Sequence, residues 1–384
     1  MKRLNLVTLL LLLNTLLLPS FAGAQAMPVP VPSPPSLSAP SYILLDARSE
    51  HVLVEREADE QREPASLVKV MTAYVVFSEL KAGHLSMSDP VMISERAWRM
   101  QGSRMFIEVG RTVTVEELLR GMIIQSGNDA SVALAEHVAG NEETFAQLMN
   151  QYADQLGMHN TNFTNATGWP DPNQYTSARD MAILARAMID SFPEYYRFYS
   201  EREFTYNDIT QRNRNMLLWR DDSVDGLKTG HTSGAGYNLV TSASRDGMRL
   251  VSVVMGTSSP QARADQTQAL LNYGFRFFRS YELYGVDDTV TEPKLWKGAT
   301  DTLRVGVEEP LYVTIPQRQY DNLNAVMRLN SPIVAPVSQG DVVGEVDIRL
   351  EGETIRSATL VALEDGEQAG FFGRLWDEVM LLFQ

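Results

Sequence analysis

Three short runs in this 384-residue sequence hold groups that together could carry out acyl transfer. Ser66-Leu67-Val68-Lys69 sets a hydroxyl and an amine three positions apart, and on a helix such a pair shares one face within hydrogen-bonding reach. Serine is a weak nucleophile until a base takes its proton. Lysine serves as that base only when desolvation or a nearby cation favours its neutral form. Lys228, in Lys228-Thr229-Gly230-His231-Thr232, could be that cation if the strand end it occupies meets the start of the helix. In Ser126-Gly127-Asn128 the serine could relay a proton to a leaving amine while the asparagine amide holds a substrate carbonyl. Gly230 lets backbone pass close to a ligand. The N–H groups of Ser66 and His231 could form an oxyanion hole, an arrangement worth a few kcal/mol of transition-state stabilisation.

A Ser-x-x-Lys by itself says little, because a chain this long contains roughly one by chance. A second copy, Ser78-Glu79-Leu80-Lys81, sits at the polar end of the same helix beside Gly83 and reads as a solvated last turn. Taken alone, Ser66 and Lys69 read better as a helix start and a lysine reaching solvent than as a catalytic pair. Context separates the two copies: an amine on an otherwise apolar helix is costly without a partner or a task, and the chain has only six lysines. The five histidines, His51, His84, His137, His159 and His231, show no paired metal-ligand spacing. The lack of cysteine excludes a thiol nucleophile, thiolate metal sites and a disulfide scaffold. No metal or cofactor is implied.

These groups meet only if strands and helices fold together around them. Tyr42–Asp46 and His51–Arg56 read as a hairpin. Pro64 suits the first turn of a helix whose run Leu67, Val68, Val70, Met71, Tyr74, Val75 and Phe77 is apolar nearly all round, which predicts burial. Thr114-x-x-Glu117 is a capping box for a second helix. A third starts near Asp129 and ends at Gly140, and Thr176 or Ser177 can cap a fourth through Met181, Leu184 and Met188. Strands return at Val224–Lys228, Tyr237–Ala243 and Leu250–Met255, with a turn at Arg245-Asp246-Gly247, and Gln266–Phe278 reads as a helix. Strands at both ends with helices inserted between them predict one mixed α/β domain over residues 41–279.

From Tyr281 onward, short alternating stretches separated by Pro, Gly, Asn and Asp predict a small all-β sandwich over 280–366. Residues 367–384 close the chain with Phe372, Leu375, Trp376, Val379, Leu382 and Phe383 along one helical face. That helix either docks on the β domain or lies in a bilayer surface, held there by apolar area rather than charge. At the other end, Lys2 and Arg3, the apolar run Leu4–Leu18 and the small residues up to Ala26 read as an export signal over 1–26, the run being shorter than the ~20 residues a membrane span needs. Six prolines within 27–40 predict an extended spacer. Export without cysteine points to a bacterial periplasm. With 48 acidic against 33 basic residues and a formal net charge of −15, a nucleic-acid partner is excluded, because phosphate contacts need clustered Lys and Arg.

In this order, the three motifs resemble those of the penicillin-binding serine acyltransferases. More closely, Pro64-Ala65-Ser66-Leu67-Val68-Lys69, Ser126-Gly127-Asn128-Asp129-Ala130, Ser177-Ala178-Arg179-Asp180-Met181 and Asp225-Gly226-Leu227-Lys228-Thr229-Gly230-His231-Thr232 resemble the D-alanyl-D-alanine carboxypeptidases of the penicillin-binding protein 5 and 6 type. The resemblance implies a transpeptidase and β-lactamase-like α/β (α+β) domain with an antiparallel sheet, followed by the β domain and an amphipathic anchor. It implies an acyl-enzyme on Ser66, Lys69 as base, Ser126 and Asn128 lining the cleft, and Lys228, Thr229, Thr232 and Arg263 receiving a terminal carboxylate. The implied substrate is the peptidoglycan pentapeptide stem, with β-lactams as acylating inhibitors and the periplasmic side of the inner membrane as the location. A D,D-endopeptidase or a non-catalytic envelope protein would carry the same motifs.

Three departures stand out. Val68 replaces a usual threonine, Thr167 stands where close relatives have histidine, and Ala97–Met105 is shorter than in relatives. The last two are not expected to touch the acylating residues. No glutamate occurs between Glu143 and Glu194, which argues against the fast antibiotic hydrolysis of a class A β-lactamase.

Overall fold

In the computed structural model, which describes residues 31–382, strand β1 (Ser41–Asp46) pairs antiparallel with β2 (Val52–Arg56) as the hairpin pattern predicts. The export signal over 1–26, the first prolines of 27–40 and Phe383 lie outside the described residues. A single 3-10 turn at Ala65–Leu67 leads into helix α1 (Val68–Lys81), so Pro64 caps that turn rather than standing in the helix. Every residue from Val68 to Phe77 is buried, as the apolar surround predicts.

Helix α2 (Val115–Ile124) opens with the Thr114–Glu117 capping box, and α3 (Asn128–Ala139) ends at left-handed Gly140. Helix α4 (Glu142–Gln155) is one that the sequence pattern does not announce; its buried stripe is only Phe145, Ala146, Met149 and Ala153 beside one capped carboxylate. Ser177, not Thr176, caps α5 (Ala178–Ser191) by accepting from Asp180 N.

Strands β3 (Val224–Thr232), β4 (Gly236–Arg245) and β5 (Met248–Thr257) complete a five-stranded antiparallel sheet of order β2-β1-β5-β4-β3. The first strand of the fold thus lies beside the last, with the helices inserted between them in the chain. Helix α6 (Pro260–Phe277) begins well before Gln266, because Ser259 caps it and Pro260 fills its first turn. Gly274 of α6 sits against Leu44, Leu53 and Leu250, where an added Cβ would come within 2.5 Å of Leu250. Residues of the other parity, Ile43, Leu45, Val251 and Val253, join the core shared with α1, α2, α3 and α5. Both faces of β5 are therefore covered, which is why its sequence is almost continuously apolar.

From residue 32 to 39 the Pro-rich stretch forms neither helix nor strand, and it does not stand free as a spacer. Pro32 O accepts from the Tyr273 hydroxyl at 3.0 Å, Gln266 bonds Ala39 N at 2.8 Å and Ser38 Oγ at 2.9 Å, and Leu37 and Ala39 are buried. These residues lie along α6.

Strand β6 (Phe278–Tyr284) follows α6 without a loop. With β7 (Val305–Val307), β8 (Leu311–Pro316), β9 (Leu323–Leu329), β10 (Val342–Leu350) and β11 (Glu353–Ala362) it builds the C-terminal β domain. The β6–β8 pair and the sheet of order β7-β11-β10-β9 enclose one core of Val305, Val307, Leu311, Val313, Val346, Ile348 and Leu360. Helix α7 (Phe371–Leu381) meets this domain through its polar side: Asp377 accepts from Lys297 N at 2.6 Å and Glu378 pairs with the Lys297 amine. Its Phe372, Leu375, Trp376, Val379 and Leu382 remain exposed. No helix among the described residues is long and apolar enough to cross a membrane.

Candidate active site

The free edge of the sheet, β3, packs against the turn that carries Ser66. Ala65 is left-handed at φ 49, a costly backbone for a residue with a Cβ, and two glycines close around it. A Cβ on Gly230 would fall 2.9 Å from Pro64 O, and one on Gly168 would fall 1.8 Å from Ala65 O. Gly230 thus allows a close approach to the turn that carries Ser66, in addition to lining the cleft. Ser66 is half-buried and opens onto a cleft of about 850 Å³, which Ser126, Asn128, Thr229, Gly230, His231, Thr232 and Arg263 also line.

Lys69 lies behind the cleft wall, 1% exposed, and its nitrogen has three neighbours. They are Ser66 Oγ at 3.2 Å, Asn128 Oδ1 at 2.8 Å and the carbonyl of Thr167. The Asn128 amide is oriented by its other end, since Nδ2 donates to Gln101 O at 2.7 Å, a site that only accepts. Burial pushes Lys69 down from 10.5 to about 7; Arg214 adds to this, and Asp129 and Glu142 oppose it. A neutral amine has two protons and one lone pair. Asn128 Oδ1 and Thr167 O can only accept, so they take both protons and leave the lone pair for Ser66 Oγ.

Lys228 is 2% exposed and donates only to Thr229 O, at 3.1 Å, among the described residues. Burial first, then Lys69, Arg214 and Arg263, push it well below the ordinary lysine value. The cation that depresses Lys69 is accordingly Arg214 rather than Lys228, whose own charge is disfavoured in so crowded a place. Arg263 is held to about 10 by burial and Arg214, and its guanidinium donates to Gly230 O at 3.3 Å. Arg104, Arg214 and Arg263 line the cleft and, among the described residues, no acidic side chain does. In a chain of net charge −15 that concentration of cations gives the cleft a positive potential suited to an anion.

Ser126 occupies the tight turn between α2 and α3 with φ 70. Its hydroxyl is buried and has no hydrogen-bond partner among the described residues, so both its donor and its acceptor capacity are unused. The Thr232 hydroxyl is committed in part, donating to Glu63 at 3.1 Å and accepting from Ala235 N at 2.9 Å. His231 stacks on Tyr237 with ring centroids 3.9 Å apart, leaving its backbone rather than its imidazole for the cleft. In the second Ser-x-x-Lys, Ser78 bonds Tyr74 O in its own helix and Lys81 bonds Ser191 O at the surface.

Comparison with known proteins decides the family. The D-alanyl-D-alanine carboxypeptidase family matches residues 29–259, and the C-terminal domain of penicillin-binding protein 5 matches residues 278–368. The chain is 45% identical to D-alanyl-D-alanine carboxypeptidase DacC of Escherichia coli strain K12 over 95% of its length and 92% of that protein. It belongs to the D-alanyl-D-alanine carboxypeptidase family. Its similarity to DacA of the same strain is 41% identity over 100% of this chain and 96% of that protein. The crystal structure of penicillin-binding protein 5 from Haemophilus influenzae superposes with a TM-score of 0.85 at 42% identity, covering 88% of this chain and all of that one.

Within this carboxypeptidase-family chain the departures fall closer to the site than their sequence positions suggest. Val68 is fully buried, so its substitution for threonine faces the core. Thr167 does touch Lys69, through a backbone carbonyl that any side chain would supply. The stretch Ala97–Met105 reaches the site too: Gln101 O holds the Asn128 amide, and Asn128 N donates to Ser103 O at 2.7 Å. Asp129, buried behind the motif, pins the end of that stretch by accepting from the N–H groups of Met105, Phe106 and Ile107 at 3.0, 2.9 and 3.3 Å. Arg214 is the residue that motif reasoning misses altogether. It belongs to no spaced pattern, and only the fold brings it to the two amines.

Proposed function

We propose that this chain is a serine-type D,D-carboxypeptidase that removes the terminal D-alanine from peptidoglycan pentapeptide stems through an acyl-enzyme on Ser66. The observation that carries this reading is the arrangement around Lys69, whose two obligate acceptors direct its lone pair at the Ser66 hydroxyl. Ser66 passes its proton to Lys69 as Oγ attacks the carbonyl carbon of the penultimate D-alanine. The N–H groups of Ser66 and His231 receive the oxyanion. As the C–N bond breaks, the leaving amine takes the proton from Lys69 through the unpartnered Ser126 hydroxyl, and Asn128 holds the substrate amide. Water then hydrolyses the ester and restores Ser66.

Lys228, Thr229, Thr232 and Arg263 receive the terminal carboxylate of the substrate. Its charge favours the ammonium form of Lys228, offsetting the burial and neighbouring cations that disfavour that form in the free protein. β-lactams acylate the same serine. Residues 41–279 form the catalytic unit and 280–366 a β domain that carries α7. With its polar side on Lys297 and its apolar side exposed, α7 suits the bilayer surface on the periplasmic side of the inner membrane, after removal of residues 1–26.

Mass analysis of pentapeptide muropeptides before and after incubation tests the reaction, with loss of one alanine per stem expected. Cleavage of cross-linked dimers with monomeric pentapeptides untouched would assign a D,D-endopeptidase instead. Fluorescent penicillin is expected to label the native protein and Ser78→Ala but not Ser66→Ala. Equal labelling of Ser66→Ala would overturn the choice of nucleophile.

A further inference from the structure

The Thr167 carbonyl serves Lys69 only while something holds it in place, and residues 164–170 contain neither helix nor strand. One side-chain oxygen does much of the holding. Asn165 Oδ1 accepts from Thr167 N at 3.1 Å, Gly168 N at 2.8 Å, Trp169 N at 3.1 Å and the Thr167 hydroxyl at 3.0 Å. Asn165 Nδ2 closes the loop by donating to Trp169 O at 3.0 Å. Buried Gln174 braces the same loop, its Oε1 accepting from Asn165 N at 3.3 Å and its Nε2 donating to Trp169 O at 3.0 Å. Side-chain bonding to neighbouring backbone of this kind substitutes locally for secondary structure. Left-handed Gly168, at φ 80, is the point where the curled loop rests on Ala65 O, one residue before the nucleophile.

We propose that Asn165 is a positioning residue: by curling residues 165–169 it aims the Thr167 carbonyl at Lys69, and thereby fixes the amine's lone pair on Ser66. This rests on the reading of Lys69 as the base. With the carbonyl turned away, the neutral amine keeps an idle N–H and its lone pair is free to rotate off Ser66 Oγ. The ammonium form loses one of its three acceptors in a site without solvent, which disfavours the charge further. The first effect slows acylation at high pH, where Lys69 is neutral. The second moves the acid limb of the profile to lower pH.

The test measures the second-order rate of acylation by fluorescent penicillin across the pH range for the native protein, Asn165→Ala and Asn165→Asp, with thermal melting as a check on folding. Asn165→Ala is expected to lower the plateau rate roughly 10- to 100-fold, the scale set by ~1 Å misplacements of catalytic groups, and to shift its limb to lower pH. Asn165→Asp keeps the accepting oxygen, and Gln174 still serves Trp169 O. Its plateau is expected within a few-fold of native and its limb at higher pH, because a nearby carboxylate favours the ammonium. A variant that is merely less stable would lose active fraction without moving the limb. A native rate in Asn165→Ala, a limb in that variant that is unmoved or moves upward, or an aspartate variant as slow as the alanine one overturns the proposal. Should Asn165→Ala fail to fold, the rate and limb of Asn165→Asp decide it. Native-rate labelling of Ser66→Ala would instead overturn the underlying reading, so the two failures are distinct.

Discussion

If Lys69 is the base, acylation follows its neutral fraction, and the depressed value fixes both the shape and the scale of a pH profile. Bringing Lys69 from 10.5 to about 7 disfavours its ammonium by about 5 kcal/mol. At pH 7 about half of such amines are neutral, against roughly three in ten thousand for an ordinary lysine, so burial supplies about a thousandfold more base. The second-order rate of acylation by fluorescent penicillin is therefore expected to rise about tenfold per pH unit below about 7 and to level off above about 8. Burial is the largest cause of the depression and Arg214 the next. Removing that cation in Arg214→Gln relieves the ammonium, raises Lys69 and moves the rising limb to higher pH. The variant loses more rate at pH 6 than at pH 9, a signature that weaker substrate binding alone would not produce. Quenched-flow labelling across this range reads both curves. A profile flat from about pH 5.5 to 8, or an Arg214→Gln limb displaced to lower pH, refutes a base tuned by burial and Arg214.

Two further outcomes are set by the geometry. Gly230→Ala places a Cβ 2.9 Å from Pro64 O and 3.3 Å from Leu67 N, and neither backbone atom yields cheaply. Denaturant unfolding is expected to show a loss of about 1–3 kcal/mol, with acylation slower at least tenfold; native stability and rate would refute the close contact. Deleting residues 370–384 is expected to abolish co-sedimentation with lipid vesicles and leave the penicillin acylation rate unchanged. Undiminished sedimentation would place the lipid contact elsewhere.

The parts of the site legible in the sequence are those written as short local patterns. Ser66 and Lys69 are three apart on one helix, Ser126 and Asn128 share a turn, and the Thr114–Glu117 box announces α2 from four residues. The five-stranded sheet was legible for the same reason, since β5 is an apolar run bounded by turns. Relations that only the fold creates were not. The cations that disfavour charge on the two buried amines, Arg214 for both and Arg263 for Lys228, are remote in sequence from Lys69. The contact from Thr167 is made by backbone, so no side-chain type at that position could announce it. Residues 32–39 of the Pro-rich stretch form neither helix nor strand, in keeping with their composition, but their docking depends on Gln266 and Tyr273, more than two hundred residues away.

The local rules that this chain breaks converge on one place. Ala65 and Ser126 hold left-handed backbone at about 1–3 kcal/mol each, and two amines are buried within mutual influence. For Lys69 the sign of the pH dependence is given by its two states. Between about 7 and 10.5 the unfolded chain binds a proton that the folded chain does not, so stability rises with pH across that window. The whole penalty stands below it and none remains above. A fold tolerates such a cluster only where its surroundings fix it, and here Gly168 and Gly230 do so from two sides, resting on the carbonyls of Ala65 and Pro64, the two residues before Ser66. The glycine of the Lys228-Thr229-Gly230 run therefore belongs to the machinery that holds Ser66 beside a strained residue, and the motif couples the edge of the sheet to the turn that carries Ser66 before any ligand arrives.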